Sequence, residues 1–400
     1  MNFLVVTPNV SLSSLDAQGV HVTEITNSLV EIGHNVYIFA ASTPESNNFQ
    51  NPIHFISTTS SGGVFPTLLR ELNLIRDLYK TYLTQKIDVV IYIRQYLLCF
   101  FPAMLGRFVQ IPVIIEVNGM YLEDRRLSKA YPDTILKFPF IFRIVEHILR
   151  LIINFGYNLA DGVIVVAPGL IKYLNEHHKV PLDKIKYCPN GVNIKNFQNL
   201  DDIQCRERLG LSREKKYLGF IGSLTPWQGI DCVIKALASL IDEFPDLDLL
   251  IVGDGEKGKE LKLLVDKLHL SKRVFFEGAV SHSKARLFTG AVDYTVAPYT
   301  LKWPRSEVMA VSGVKIPESL AAGSPIIVSK LPGLEFIENE RVGYLAKPDD
   351  IAGWTEVLRS ALHIDEYDYK AMSNRARLYA ESNRSWIDTA RCISQFVGNF

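Results

Sequence analysis

The chain has 400 residues, 48 % of them hydrophobic and 22 % charged, enough apolar material for two folded domains or one large one and the wrong balance for a disordered chain. Its 43 lysines and arginines offset 43 aspartates and glutamates, which leaves no charge surplus for wrapping nucleic acid. Five scattered cysteines (Cys99, Cys188, Cys205, Cys232, Cys392) make neither a C-x-x-C pair nor a disulfide framework, and this predicts a reducing, cytoplasmic setting.

In chain order, MNFLVVTPNV reads as a buried first strand without a basic leader. Helical periodicity follows in VTEITNSLVEIG, then strand-like NVYIFAA, DVVIYI, PVIIEVNG, DGVIVVA and KIKYCPNG. Within this half, KFPFIFRIVEHILRLIINF (137–155) is apolar with Arg143 and Arg150 spaced along it. It reads as a core-packed helix with snorkelling arginines; the competing reading is a helix lying on the inner membrane face, presenting a lipid-linked acceptor. No window approaches the ~18 uninterrupted apolar residues of a membrane span. From 197 to 216 the text turns polar, and the rhythm restarts with YLGFIG, DLLIVGDG, RVFFEG, DYTVAPY, SPIIVSK and VGYLAKP. Continuous apolar strands alternating with helices predict an α/β protein with two Rossmann-like, doubly wound parallel sheets. The domains are 1–200 and 201–385, facing each other across a cleft, with ligands beyond the carboxyl ends of the strands.

Gly253, Gly255 and Gly258 spell G-x-G-x-x-G after a strand, and Glu277 lies on the next strand-like run, the outline of a dinucleotide site. They follow the second strand of their domain, however, whereas a hydride-transferring domain grips its pyrophosphate at the first strand–helix turn. That first turn, GSLTPWQG (222–229), lacks the fingerprint. Gly253 and Gly255 therefore read as positive-φ residues of a tight turn. Asp246 and Asp248 spell D-x-D on the lead-in to a strand, where a cap and turn is the simpler reading than a metal site, and His177–His178 lack zinc spacing. No metal and no cofactor is expected.

SGVKIPESLAAGSPII (312–327) carries more. Pro317 suits a first helical turn and Gly323 a helix end, so Glu318 falls in the first turn beside backbone amides that favour anions. Lys315 lies just before it and can meet a phosphate as a point charge. One loop thus offers amides and a cation for a diphosphate, and a carboxylate for sugar hydroxyls.

This loop resembles the nucleotide-sugar loop of retaining GT-B glycosyltransferases of family 4. The resemblance extends through CPNGVNIKNF, IGSLTPWQGIDCVIKAL, LIVGDG, VFFEGAVSHSKARLF and DYTVAPY, and at the front through QGVHVTEITNSLVEIGHNVYIFA. It implies a metal-independent, retaining transfer of a sugar from a nucleotide-sugar donor to a hydroxyl of a glycan or lipid-linked acceptor of cell-surface synthesis. It also implies a final helix, 386–400, that returns to the first domain. By the same resemblance Glu318 binds the donor ribose, while Lys315 with the amides of Gly313 and Val314 faces the diphosphate. Gly19 lets a first-domain loop approach it, Gly222, Ser223 and Gly253 lie near the nucleotide, and the backbone from Gly278 to Val280 brackets the base.

Three departures from the family pattern stand out. Ala310 replaces the first glutamate of E-x7-E, Ser223 and Gln228 replace the arginine and lysine of the first turn, and Asn118 stands where a histidine is expected. Lys302 and Arg305, on the preceding loop, are candidate substitutes for the lost cations. Asn118, Glu116, Glu123 and His21 are the acceptor-side candidates. These losses raise the alternative of a catalytically silent relative acting as a partner subunit.

Overall fold

The computed structural model describes residues 1–12, 17–42, 53–57, 64–85, 87–122, 139–198, 200–303, 308–309 and 313–400. The chain divides into two compact units, Met1–Asn190 with Trp386–Phe400, and Gly191–Ser385. The first passage falls at Asn190/Gly191, not at 200, because Val192 and Phe197 are buried in the second unit's core with Ala297 and Leu320.

The first unit runs β1 (Asn2–Ser11), α1 (Ala17–Glu31), β2 (Asn35–Ser42), β3 (Ile53–Ser57), α2 (Val64–Gln85), β4 (Val89–Arg94), α3 (Phe100–Val109) and β5 (Val113–Val117). It continues with α4 (Pro139–Leu159), β6 (Gly162–Val165), α5 (Gly169–His178) and β7 (Ile185–Tyr187). Seven parallel strands are ordered β3-β2-β1-β4-β5-β6-β7. Runs such as Phe3–Val6 and Val113–Ile115 are buried on both faces, which is why they are continuously apolar rather than alternating. The strand order reverses between β1 and β4, the kind of switch point beside which open α/β sheets place their ligands. β3, the edge strand, had no counterpart among the strand-like runs of the sequence.

The second unit runs α6 (Asp202–Leu209), β8 (Lys216–Ile221), α7 (Ile230–Ala238), β9 (Leu247–Val252), α8 (Gly258–Lys267), β10 (Val274–Gly278), α9 (His282–Ala291) and β11 (Tyr294–Ala297). Then come α10 (Lys315–Ala322), β12 (Ile326–Ser329), α11 (Phe336–Asn339), β13 (Gly343–Ala346), α12 (Ile351–Leu362) and α13 (Glu366–Asn383). Six parallel strands are ordered β10-β9-β8-β11-β12-β13, with the reversal between β8 and β11. Local chemistry sets the boundaries: Asp201, Ser281 and Asp350 accept backbone N–H bonds as N-caps, and Gly323 closes α10 in the left-handed region.

The last helix, α14 (Trp386–Val397), packs on α1 in the first unit. Thr389 donates to the Pro189 carbonyl at 2.7 Å and His34 meets Ser394 at 2.8 Å. This contact corrects the reading of the cysteines. Cys188 and Cys392 are joined by a disulfide across 204 residues of sequence, while Cys99, Cys205 and Cys232 are free and buried. Spacing concealed the pair because only the return of α14 to the end of β7 brings the two Cα atoms to 5.9 Å.

The core-packed reading of 137–155 is also corrected. One face of α4 is buried, but Phe140, Ile144, Ile148, Leu151 and Phe155 stand exposed on another.

Candidate functional site

At the carboxyl ends of β8, β9 and β10 three turns are laced together by their backbones. Gly222 N–H donates to the Val252 carbonyl at 2.9 Å, Leu224 N–H to Asp254 at 2.9 Å, and Gly253 N–H to Gly278 at 2.8 Å. Gly253 has φ +136°, and a Cβ there would lie 1.9 Å from the Gly222 carbonyl oxygen. Its place in G-x-G-x-x-G is therefore explained by a close backbone approach. The D-x-D pair has an equally local account: Asp248 is buried on β9 and paired with Lys215 at 2.5 Å and Arg273 at 3.3 Å.

Beside this row stands the start of α10. Lys315 is its first residue and Glu318 its fourth, so both project from the same side of the first turn. The helix is held from behind. Ser319 Oγ donates to the Ser324 carbonyl at 2.7 Å and also bonds the Thr295 hydroxyl, and Arg377 donates to the Ala322 carbonyl at 3.0 Å near the negative end of the helix dipole. Together Lys315, Glu318, Thr289, Thr295, Val296 and Ile326 line one depression of this unit.

Lys315 points inward. Its Nζ donates to Gln228 Oε1 at 2.7 Å, lies 4.2 Å from the Phe220 ring centre and 5.5 Å from that of Tyr299, and would sit 3.1 Å from a Cβ on Gly222. Burial pushes its ammonium down to about 7, against the opposing pull of Glu318. A lysine so enclosed has few solvent partners, and an arriving anion would restore its charge. Glu318 Oε1 in turn meets His282 Nε2 at 2.9 Å. His282 opens α9 behind the Ser281 cap and thereby faces the α10 carboxylate.

In the first unit a second polar cluster sits where β4 and β5 end. Glu116 is buried and its Oε1 meets His21 Nε2 at 2.8 Å; the His21 ring lies edge-on to Trp386, centroids 5.3 Å apart. Burial pushes the Glu116 carboxyl up, but the facing His21, Arg94 and Asn118 outweigh it and hold the carboxyl below its usual range. Tyr92 Oη and Asn118 Nδ2 lie buried beside it, short of full hydrogen-bond geometry with any described group.

The family model for glycosyl transferases group 1 matches residues 201–379, and that for Glycosyltransferase Family 4 matches 18–196. The chain belongs to the family 4, group 1 type of glycosyltransferase. An uncharacterised glycosyltransferase of Methanocaldococcus jannaschii is 29 % identical over 237 residues, 57 % of either chain, so the chain spans little more than half of that relative. The alpha-monoglucosyldiacylglycerol synthase of Streptococcus pneumoniae is 22 % identical over 336 residues, 80 % of this chain and 69 % of that one. The crystal structure of Anabaena HepE in complex with UDP-glucose aligns with a TM-score of 0.72 at 17 % identity, covering 100 % of both chains. The two parallel-sheet units and this likeness establish the GT-B fold.

In this chain Gly222, Gly253, Gly278, Lys315 and Glu318 come together in the second unit, with Gly313 and Val314 leading into α10. Ser223 is exposed at the same turn, and the Val280 side chain packs partly against the core beside Phe288. In the first unit, Gly19 lies buried in the opening turn of α1, two residues before His21, in the unit that also holds Glu116 and Asn118. Lys302 is not among the residues that line Lys315's depression; its Nζ stands 4.0 Å from Asp349. Arg305, Ala310 and Glu123 lie outside the described residues. Sequence reasoning missed His282, Phe220 and Tyr299, and it counted Gln228 only as a lost cation. An N-cap serine marks the start of α9, yet nothing local signals that its first residue faces Glu318.

Proposed function

We propose that this chain is a retaining, metal-independent glycosyltransferase that moves a sugar from a nucleoside-diphosphate donor to a hydroxyl of a glycan or lipid-linked acceptor. The observation that carries the reading is the pairing of Lys315 with Glu318 on one side of a helix N-terminus, next to the Gly222–Gly253–Gly278 row. Glycines at that row admit a nucleotide to the backbone, Glu318 accepts bonds from ribose hydroxyls, and Lys315 with the helix N-terminus meets the diphosphate. The likeness to a protein solved with UDP-glucose and to a glycolipid synthase supports a nucleotide-sugar donor and a lipid-borne acceptor.

In the reaction, the bond between the sugar's anomeric carbon and the β-phosphate oxygen breaks and its electron pair stays on that oxygen. The acceptor hydroxyl oxygen bonds the anomeric carbon from the same face, and its proton passes to the departing phosphate. Charge develops on the diphosphate, where a preorganised ammonium stabilises it without reorganisation. Thermal-shift screening against UDP-, GDP-, ADP- and TDP-sugars, then NMR of the product, tests this. One donor should stabilise the wild type but not Lys315→Ala, and the product should keep the donor's anomeric configuration. Inversion, no stabilisation by any donor, or donor binding without transfer across an acceptor panel would refute it.

A further inference from the structure

α4 divides into three faces. Successive helical residues turn by about 100°, so Phe140, Ile144, Ile148, Leu151 and Phe155 share one line and, with Ile141, fill an arc about 100° wide. All six are exposed, Phe140 to 75 %. The opposite face, with Glu146, Ile153, Gly156 and Tyr157, is buried against the unit. Between the two, on one edge only, lie Arg143, His147 and Arg150. Apart from Asn158 near its C-terminal end the exposed arc is apolar, and the single acid of the helix, Glu146, is turned away from the surface.

The neighbouring helix extends this face. α3 packs on α4, with the Phe100 and Phe155 rings 5.7 Å apart and Gly156 fitted closely against Cys99. One turn apart on α3, Met104 and Phe108 are exposed, Phe108 to 81 %. Clustered large apolar side chains at this exposure mark an interaction surface, not the scattered apolar exposure of an ordinary monomer.

We propose that the outer face of α4, continued by Met104 and Phe108, docks on an anionic phospholipid bilayer. Charge decides the occupant. The edge of the arc is cationic, and α4 offers no exposed carboxylate to answer it. A second copy pairing this helix with itself would bring arginines together without a counter-charge from either helix, whereas anionic headgroups supply it. No helix among the described residues is long and apolar enough to cross a membrane, so α4 lies on the surface. The proposal is independent of the donor reading: neither Lys315 nor Glu318 enters it.

Flotation of the full chain with phosphatidylcholine vesicles, and with vesicles also containing phosphatidylglycerol, is the test. The wild type should partition into the anionic vesicles and much less into the zwitterionic ones. Ile148→Asn with Leu151→Asn should weaken that partitioning at least about tenfold, and Arg143→Gln with Arg150→Gln should narrow the difference between the two lipids. Leu151→Trp keeps an apolar side chain and reads docking directly, through a blue shift and quenching by brominated lipid. Failure of the wild type to float, equal binding to both vesicle types, or indifference to the paired asparagines overturns the proposal. So does light scattering that shows a dimer dissociated by the same asparagines.

Discussion

Lys315→Met separates two consequences of enclosing that ammonium. A fall from 10.5 to about 7 corresponds to roughly 5 kcal/mol at about 1.4 kcal/mol per unit. Part of the residue stays accessible to solvent although its ammonium is enclosed, and screening there reduces this to about 2–3 kcal/mol. Losing the bond to Gln228 and the two ring contacts offsets about 1–2 kcal/mol of the gain. The variant should therefore exceed the wild type in stability by about 1 kcal/mol below about pH 7. Lysine holds its proton more tightly in the unfolded chain, so between about 7 and 10.5 the wild type gains stability as pH rises and the variant's advantage disappears. Denaturant unfolding at about pH 6 and about pH 9 measures the difference. Donor turnover moves the other way: loss of the cation should cost about 10²–10³ in rate, and the wild type's own donor KM should climb as pH rises above about 7. A variant no more stable than wild type at the lower pH, with donor kinetics intact, would show that this lysine is neither enclosed nor engaged with donor.

Four further outcomes follow from the same geometry. His282→Ala removes the partner of Glu318 and should raise donor KM about tenfold with a smaller change in kcat; His282→Gln should restore most of it, and an unchanged KM for the alanine variant would leave His282 without a positioning role. Gly253→Ala drives a Cβ against the Gly222 carbonyl and should cost about 3 kcal/mol or more in a urea melt; a loss below about 1 kcal/mol contradicts the close approach. Cys392→Ser should lose about 2–5 kcal/mol relative to the oxidised wild type, and the gap should close in reductant; equal melting in oxidising buffer would count against the bridge to Cys188. Because the Glu116 carboxyl is held low by its partners, its contribution is present above the ordinary carboxylate range and is lost as pH falls through the folded-state value. Glu116→Gln should flatten that acid dependence at a cost of about 1–2 kcal/mol near neutrality; an unaltered acid melting profile would refute the assignment.

Much of this was legible before any coordinates. Doubly buried strands such as Phe3–Val6 announce themselves by unbroken apolar text. Pro317 and Gly323 bracket a short helix whose first turn must carry Lys315 and Glu318. What escaped depends on long-range placement. His282 reaches Glu318 across 36 residues, Gln228 finds Lys315 across 87, and Cys188 finds Cys392 across 204, with no periodicity to mark any of them. α4 misled for a different reason. Its hydrophobic text is dense enough for a core helix, and only the fold tells which of its apolar faces has been left uncovered.

The backbone lacing of Gly222, Gly253 and Gly278 limits how such a pocket can be re-engineered. Lengthening any one of the three turns would pull a rung out of the others, so an insertion there tears the floor instead of reshaping it. Altered nucleotide preference should come from exchanging side chains on the first turns of α9 and α10, which rest on that floor without forming part of it.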